Sequence, residues 1–168
     1  KILNNLNPYQ TGGQMISQVN KDSSTWNDIP FRFEAGTPNI EGVIGLGAAI
    51  DYISEVGIIN IKSHNEILKK NCLEKLRSID NLKIYGHKNE NTGPVISFNI
   101  EGIQPYDLSQ LLAQQNIFIR SGHHCAQPIM RKLDISSSNR ASLYIYNDLA
   151  DIDQFIEGIK KAVRMLVG

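Results

Sequence analysis

The sequence predicts an α+β domain preceded by a segment that has no core of its own. Three observations carry this. Apolar residues recur at helical spacing from about residue 40 to 79, the period changes to alternation beyond Asp80-Asn81, and strands and helices then alternate to the C-terminus. Residues 1 to 39, by contrast, show little periodicity and carry breakers at Asn7-Pro8, Gly12-Gly13, Ile29-Pro30 and Thr37-Pro38.

Taken in order, residues 1–39 are expected to be loops with one short strand at Met15 to Val19. Thr37 is placed to cap a helix with Pro38 in its first turn, and Val43, Leu46, Gly47, Ile50 and Ile53 continue it to Gly57. A second helix spans about 58 to 79, with Ile61, Leu68, Cys72, Leu76 and Ile79 on its apolar face, so Cys72 is expected in the core. Leu82 to Tyr85 and Val95 to Ile100 are predicted strands joined by a polar turn over 86–93. In the second strand Ile96, Phe98 and Ile100 alternate with Val95, Ser97 and Asn99, which implies one buried face. A helix from Pro105 to about Gln115 leads to a short strand at Ile117 to Arg120. Ala141 to Tyr146 is the next predicted strand. The last helix begins near Asp148, with Ile152, Phe155, Ile156, Ile159, Val163 and Leu166 as its stripe.

Composition narrows the function classes. The 168 residues are 41% hydrophobic and 20% charged, ordinary for a folded domain, and the formal net charge is zero, so no electrostatic argument favours nucleic acid or an anionic membrane. No apolar run approaches the length of a membrane span, and the N-terminal residues lack the pattern of a signal peptide. The two cysteines, Cys72 and Cys125, lie in unlike contexts, as free thiols of a reducing compartment do.

Chemistry concentrates in "RSGHHCAQP" at 120–128. Three consecutive residues seldom converge on one metal ion, and His64 and His87 belong to unrelated elements, so no metal site is expected. A buried filler cysteine fits poorly among Arg120, Ser121, Gly122, His123 and His124. A nucleophilic thiol fits better, because cationic neighbours favour the thiolate and Gly122 lends the loop mobility. Either histidine could supply that field or simply pack.

With "RFEAGTPN" at 32–39 and "RASLYIYN" at 140–147, this segment resembles the SufS-type, group II cysteine desulfurases, which are fold-type I pyridoxal phosphate (PLP) enzymes. The resemblance covers the whole chain, in the family's order and spacing. It implies that the chain corresponds to the C-terminal small domain over 40–168, preceded over 1–39 by the tail of the large PLP-binding domain. It further implies a reaction in which the sulfur of PLP-bound L-cysteine is taken by an enzyme thiolate, leaving a persulfide and L-alanine. Cys125 matches the attacking cysteine and Arg140 the substrate-carboxylate arginine, with Arg120 a second contact or a support for the loop. Gly36 and Thr37 match the segment that reaches the PLP phosphate of the other subunit of a homodimer, and His123 and His124 match the family's paired histidines. The Schiff-base lysine has no counterpart here, so these residues alone are expected to be inactive. A SufE-like acceptor, iron–sulfur cluster assembly, and a bacterial-type cytoplasm or plastid-type organelle follow from the resemblance. A selenocysteine lyase of the same fold, or a non-catalytic sulfur-carrying module, are the alternatives.

Overall fold

The computed structural model describes residues 2–86 and 92–167. They group into two compact units, 1–55 and 56–168. The division falls later than the expected boundary at 39/40, so the first long helix groups with the N-terminal segment.

In the first unit, β1 (Ile16–Val19) and β2 (Ser24–Trp26) form an antiparallel hairpin. The expected strand is present, and its partner was not foreseen because Ser24, Thr25 and Trp26 are too few to show a period. Helix α1 covers Ile40–Val56. Thr37 does not cap it: the Asn39 side chain accepts from the Gly42 amide at 3.0 Å, and the Asn39 carbonyl accepts from Val43 at 3.1 Å. The cap therefore falls two residues later than the Thr-Pro pair suggests, and Pro38 precedes the helix. Its expected apolar stripe is not buried, since no residue of α1 is.

The second unit is a sheet with helices on one face. Helix α2 (Ile58–Arg77) follows Gly57, whose φ of +87° lies in the region that favours glycine. Strands β3 (Leu82–Tyr85) and β4 (Val95–Ile100) sit where the alternation predicts them. Of the turn between them, residues 87–91, His87 included, lie outside the described residues. Helix α3 spans Pro105–Ala113, β5 Arg120–Gly122, α4 Gln127–Lys132, β6 Ser138–Ser142 and α5 Leu149–Val167. The sheet order is β3-β4-β6-β5, antiparallel throughout, with β5 at an edge.

Two strands differ from expectation in the same way. The apolar run Ile117 to Ile119 is not laddered, and the polar Arg120–Gly122 is; similarly β6 is Ser138–Ser142 rather than 141–146. Pairing here is fixed by register between neighbours, not by hydrophobicity. Beyond Arg120 and Arg140 the two segments part around a cleft of about 430 Å³ lined by Phe118, Ser142, Tyr146 and Asp151 among others.

Alternation sorts the sheet into two faces. Ile96, Phe98, Ile100 and Ala141 join Leu68, Cys72 and Leu76 of α2, Leu108 and Leu112 of α3, and Ile152, Phe155, Ile156 and Ile159 of α5 in one core. The Phe98 and Phe155 rings meet edge to face with centroids 6.0 Å apart. Burial pushes the Cys72 thiol up to about 12, as expected of a core residue. Val163 is partly buried against this core, whereas Leu166 is exposed, so the buried stripe of α5 ends earlier than its sequence suggests. Gly158 allows the close approach, because a Cβ there would stand 2.6 Å from Ile117 Cδ1. The opposite face is polar, carrying Lys83 and Tyr85 on β3, Ser97 and Asn99 on β4, and Arg140 on β6. No single helix among the described residues is long and apolar enough to cross a membrane.

Candidate active site

The candidate site lies at the polar face of β5 and β6 and the loop that joins them. Arg120 and Arg140 are directly opposite in the antiparallel ladder, so their side chains leave the same face of the sheet. Like charges so placed repel, and neither guanidinium has a carboxylate partner among the described residues. The Arg140 Nε is buried without an acceptor among the described residues. Such a pair is suited to an anion brought from outside.

The loop leaves β5 at Gly122, whose φ is +128°. His123 to Ala126 then form a tight turn closed by a 2.9 Å hydrogen bond from the Ala126 amide to the His123 carbonyl. Its two central residues, His124 and Cys125, have φ of +54° and +55°. A non-glycine residue held there costs roughly 1–2 kcal/mol, so the surroundings must impose the conformation. Two contacts do so. The Cys125 amide donates to His123 Nδ1 at 3.0 Å, which fixes that nitrogen as the lone-pair bearer. His124 Nε2 lies 2.9 Å from the Ser138 carbonyl and 3.1 Å from the Ser138 hydroxyl. A carbonyl only accepts, so Nε2 carries the proton and donates.

That leaves His124 Nδ1 as a lone pair, buried and without a donor among the described residues. Burial holds the imidazole below its ordinary titration range; the bond to Ser138 opposes this, and the charges of Arg140, Arg120 and His123 add to it. His124 is thus a neutral tether. Cys125 is exposed, with its thiol free. The Ala126 carbonyl then accepts from Ile129 and Met130 at 3.0 and 3.1 Å, starting α4, and buried Met130 pins that helix.

On the far side, β5 is tied to α3. Ser109 Oγ donates to the Tyr106 carbonyl at 2.7 Å, so in its 3.0 Å contact with Ser121 the Ser121 hydroxyl must be the donor. The backbone amide of buried Asn139 donates to Asn99 Oδ1 at 3.3 Å, and Asn99 Nδ2 donates to the Ser137 carbonyl at 2.9 Å. These contacts fix the register that sets Arg120 against Arg140. No sequence period marks them, and the signal that could have found Ser138 is its position two residues before Arg140. The structure brings together Arg120, His123, His124, Cys125 and Arg140. None of the five lines the 430 Å³ cleft, and no group of metal-binding side chains occurs among the described residues.

Residues 1–155 match the family model described as Aminotransferase class-V. The chain belongs to that family. It is 40% identical over 161 residues to the cysteine desulfurase of Haloferax volcanii, covering 96% of this chain and 38% of that protein. It is 42% identical to the probable cysteine desulfurase of Staphylococcus epidermidis, over 96% and 39% of the two chains. The apo structure of cysteine desulfurase from Thermococcus onnurineus NA1 matches with a TM-score of 0.89 and 39% identity, over 95% of this chain and 40% of that one. The chain therefore spans about two fifths of the length of the relatives it matches.

The cofactor of the class-V aminotransferase family is pyridoxal phosphate. The residues here fit part of that role. Thr37 is exposed, and its hydroxyl has no hydrogen-bond partner among the described residues; it stands shortly before the N-terminus of α1. Gly36 has a φ of +88° and open space around it, but its amide is already bonded to the Gly13 carbonyl at 2.9 Å. A phosphate contact at Thr37 is feasible, with Gly36 supplying the turn and not a free donor. A covalent anchor is a different matter. Lys69 is the one buried lysine of the described residues, at 6% exposure, and its ammonium is held by Glu66 at 2.7 Å and the Thr92 carbonyl at 2.7 Å.

Proposed function

We propose that this chain is the sulfur-accepting part of a PLP-dependent cysteine desulfurase, which takes sulfur from L-cysteine as a persulfide on Cys125 and releases L-alanine. The observation that carries the reading is the exposed Cys125 thiol, held on a strained turn between two strands whose opposed arginines have no internal carboxylate. The kinship to cysteine desulfurases supports it.

Arg140 holds the substrate carboxylate through its planar fork, and Arg120, directly across the ladder, adds a second positive charge to the same side. The Cys125 thiolate attacks the substrate sulfur. The S–S bond forms as the C–S bond breaks, and the electron pair stays with the departing carbon, which takes up a proton to become alanine. Bound PLP supplies the electron sink for that pair. Gly36 and Thr37 are assigned to the edge of the cofactor phosphate across the interface of a homodimer. The exposed position of Cys125 suits the second half of the task, delivery of the persulfide sulfur to a SufE-like acceptor for iron–sulfur cluster assembly. The compartment is a reducing one, of bacterial-cytoplasm or plastid type, in keeping with two free thiols. The family's Schiff-base lysine has no counterpart in these residues, and the pairing of buried Lys69 with Glu66 and the Thr92 carbonyl supports the reading that by themselves they turn over no L-cysteine.

The test is Cys125→Ala in the full-length holoenzyme. Persulfide and alanine formation are expected to vanish while the visible PLP absorbance is retained. Normal turnover in that variant would refute the reading.

A further inference from the structure

Between Cys125 and the sheet stands the imidazole of His124, bonded to Ser138. We infer that His124 is the positioning residue of the sulfur-transfer loop: its Nε2–H ties the Cys125 turn to Ser138 on β6, two residues from Arg140. The inference rests on the desulfurase reading and says how the thiol is aimed within it.

The geometry argues for this in three ways. The turn is one that His124 and Cys125 do not adopt by preference, at φ of +54° and +55°, so something outside the turn must hold it. The His123 contact to the Cys125 amide lies within the turn and cannot fix its direction relative to the sheet. Among the described residues, the His124 bonds to the Ser138 carbonyl and hydroxyl are the hydrogen bonds that join the turn to β6. Ser138 itself is 1% exposed and cross-paired with Gly122, so it is a rigid anchor. One strand end then carries both the anchor of the thiol loop and the arginine assigned to the carboxylate. Their separation is set by the backbone of β6 and not by the rest of the loop.

The tether works as neutral imidazole. A second proton would fall on Nδ1, which is buried and faces the charges of Arg140 on β6, Arg120 on β5 and His123 in the loop. The folded-state titration is lowered, so the tether's stability is complete above the ordinary histidine value. It is lost as pH falls through that value and on through the lowered one.

The experiment compares His124→Ala, His124→Asn and His124→Gln with the wild type in the full-length holoenzyme. Glutamine can place an N–H near the position of Nε2; asparagine ends short of it. Three readouts are taken: single-turnover persulfide formation from L-cysteine, KM for L-cysteine, and alkylation of Cys125 by iodoacetamide as a measure of thiolate. Loss of aim at a fixed thiolate level is expected to slow persulfide formation about 100-fold in the Ala and Asn variants. KM and alkylation are expected to stay near wild type, and the Gln variant to recover most of the rate. The ratio of persulfide formation to alkylation is expected to fall with acid in the wild type and stay level in the Gln variant. Wild-type rates in both the Ala and Asn variants, or a Gln variant as slow as they are, would overturn the inference. A Cys125→Ser control separates the two levels. If it still releases alanine, the functional reading fails and this inference with it; if it is dead while His124→Ala is unimpaired, only this inference fails.

Discussion

Arg140 shows what a single side chain adds beyond its charge. Its guanidinium can meet a carboxylate with two parallel hydrogen bonds, whereas an ammonium offers a point charge. Arg140→Lys in the holoenzyme is therefore expected to raise KM for L-cysteine about tenfold, the equivalent of roughly 1.4 kcal/mol, measured by alanine release over a substrate series. Arg120→Lys keeps the opposed charge and is expected to change KM less. At this scale the sequence was informative about identity and silent about state. Cys125 and its neighbour Arg120 could be singled out from residue type and spacing, and Arg140 through the family resemblance of its segment. That His123 accepts while His124 donates could not, because a tautomer is set by the partner across space, here the Cys125 amide and the Ser138 carbonyl.

For the elements of the core, legibility followed burial. Strand β4 and helix α5 were readable because one face of each is buried in a single core, so burial and hydrophobic period coincide. Strand β5 was misplaced because its ladder is made by Arg-Ser-Gly while the apolar run before it borders an open cleft. The shared core also sets the cost of damage to it. Phe155→Ala removes a ring packed against Phe98 and is expected to cost about 3–5 kcal/mol. Cys72→Ser places a hydroxyl in the apolar core, and is expected to cost about 1–3 kcal/mol. Urea unfolding followed by far-UV circular dichroism gives both, as a fall in the midpoint at unchanged slope.

At the scale of the molecule, the exposed apolar surface is the unusual feature. Ile40, Val43, Ile44, Leu46 and Ile50 of α1 all face solvent, as do Ile58 and Ile59 at the start of α2. Runs of this kind exceed the scattered apolar exposure of ordinary surfaces. The 168-residue chain is expected to enhance the fluorescence of anilinonaphthalene sulfonate, and Ile44→Lys with Leu46→Gln to reduce that enhancement at least by half. An unchanged signal would mean that the dye binds elsewhere. The helix itself was legible from its spacing, but not the fate of its stripe, since periodicity says which residues share a face and nothing of what covers it. The register of Arg120 against Arg140 has one further consequence. The connection from His123 to Ser137 is a hairpin loop between strands whose alignment is fixed elsewhere, by Ser109, Asn99 and Asn139. Residues added between α4 and Ser137 therefore leave both the arginine pair and the tie of His124 to Ser138 in place, so the outer part of the connection is where a new contact can be engineered without moving the thiol or the guanidiniums.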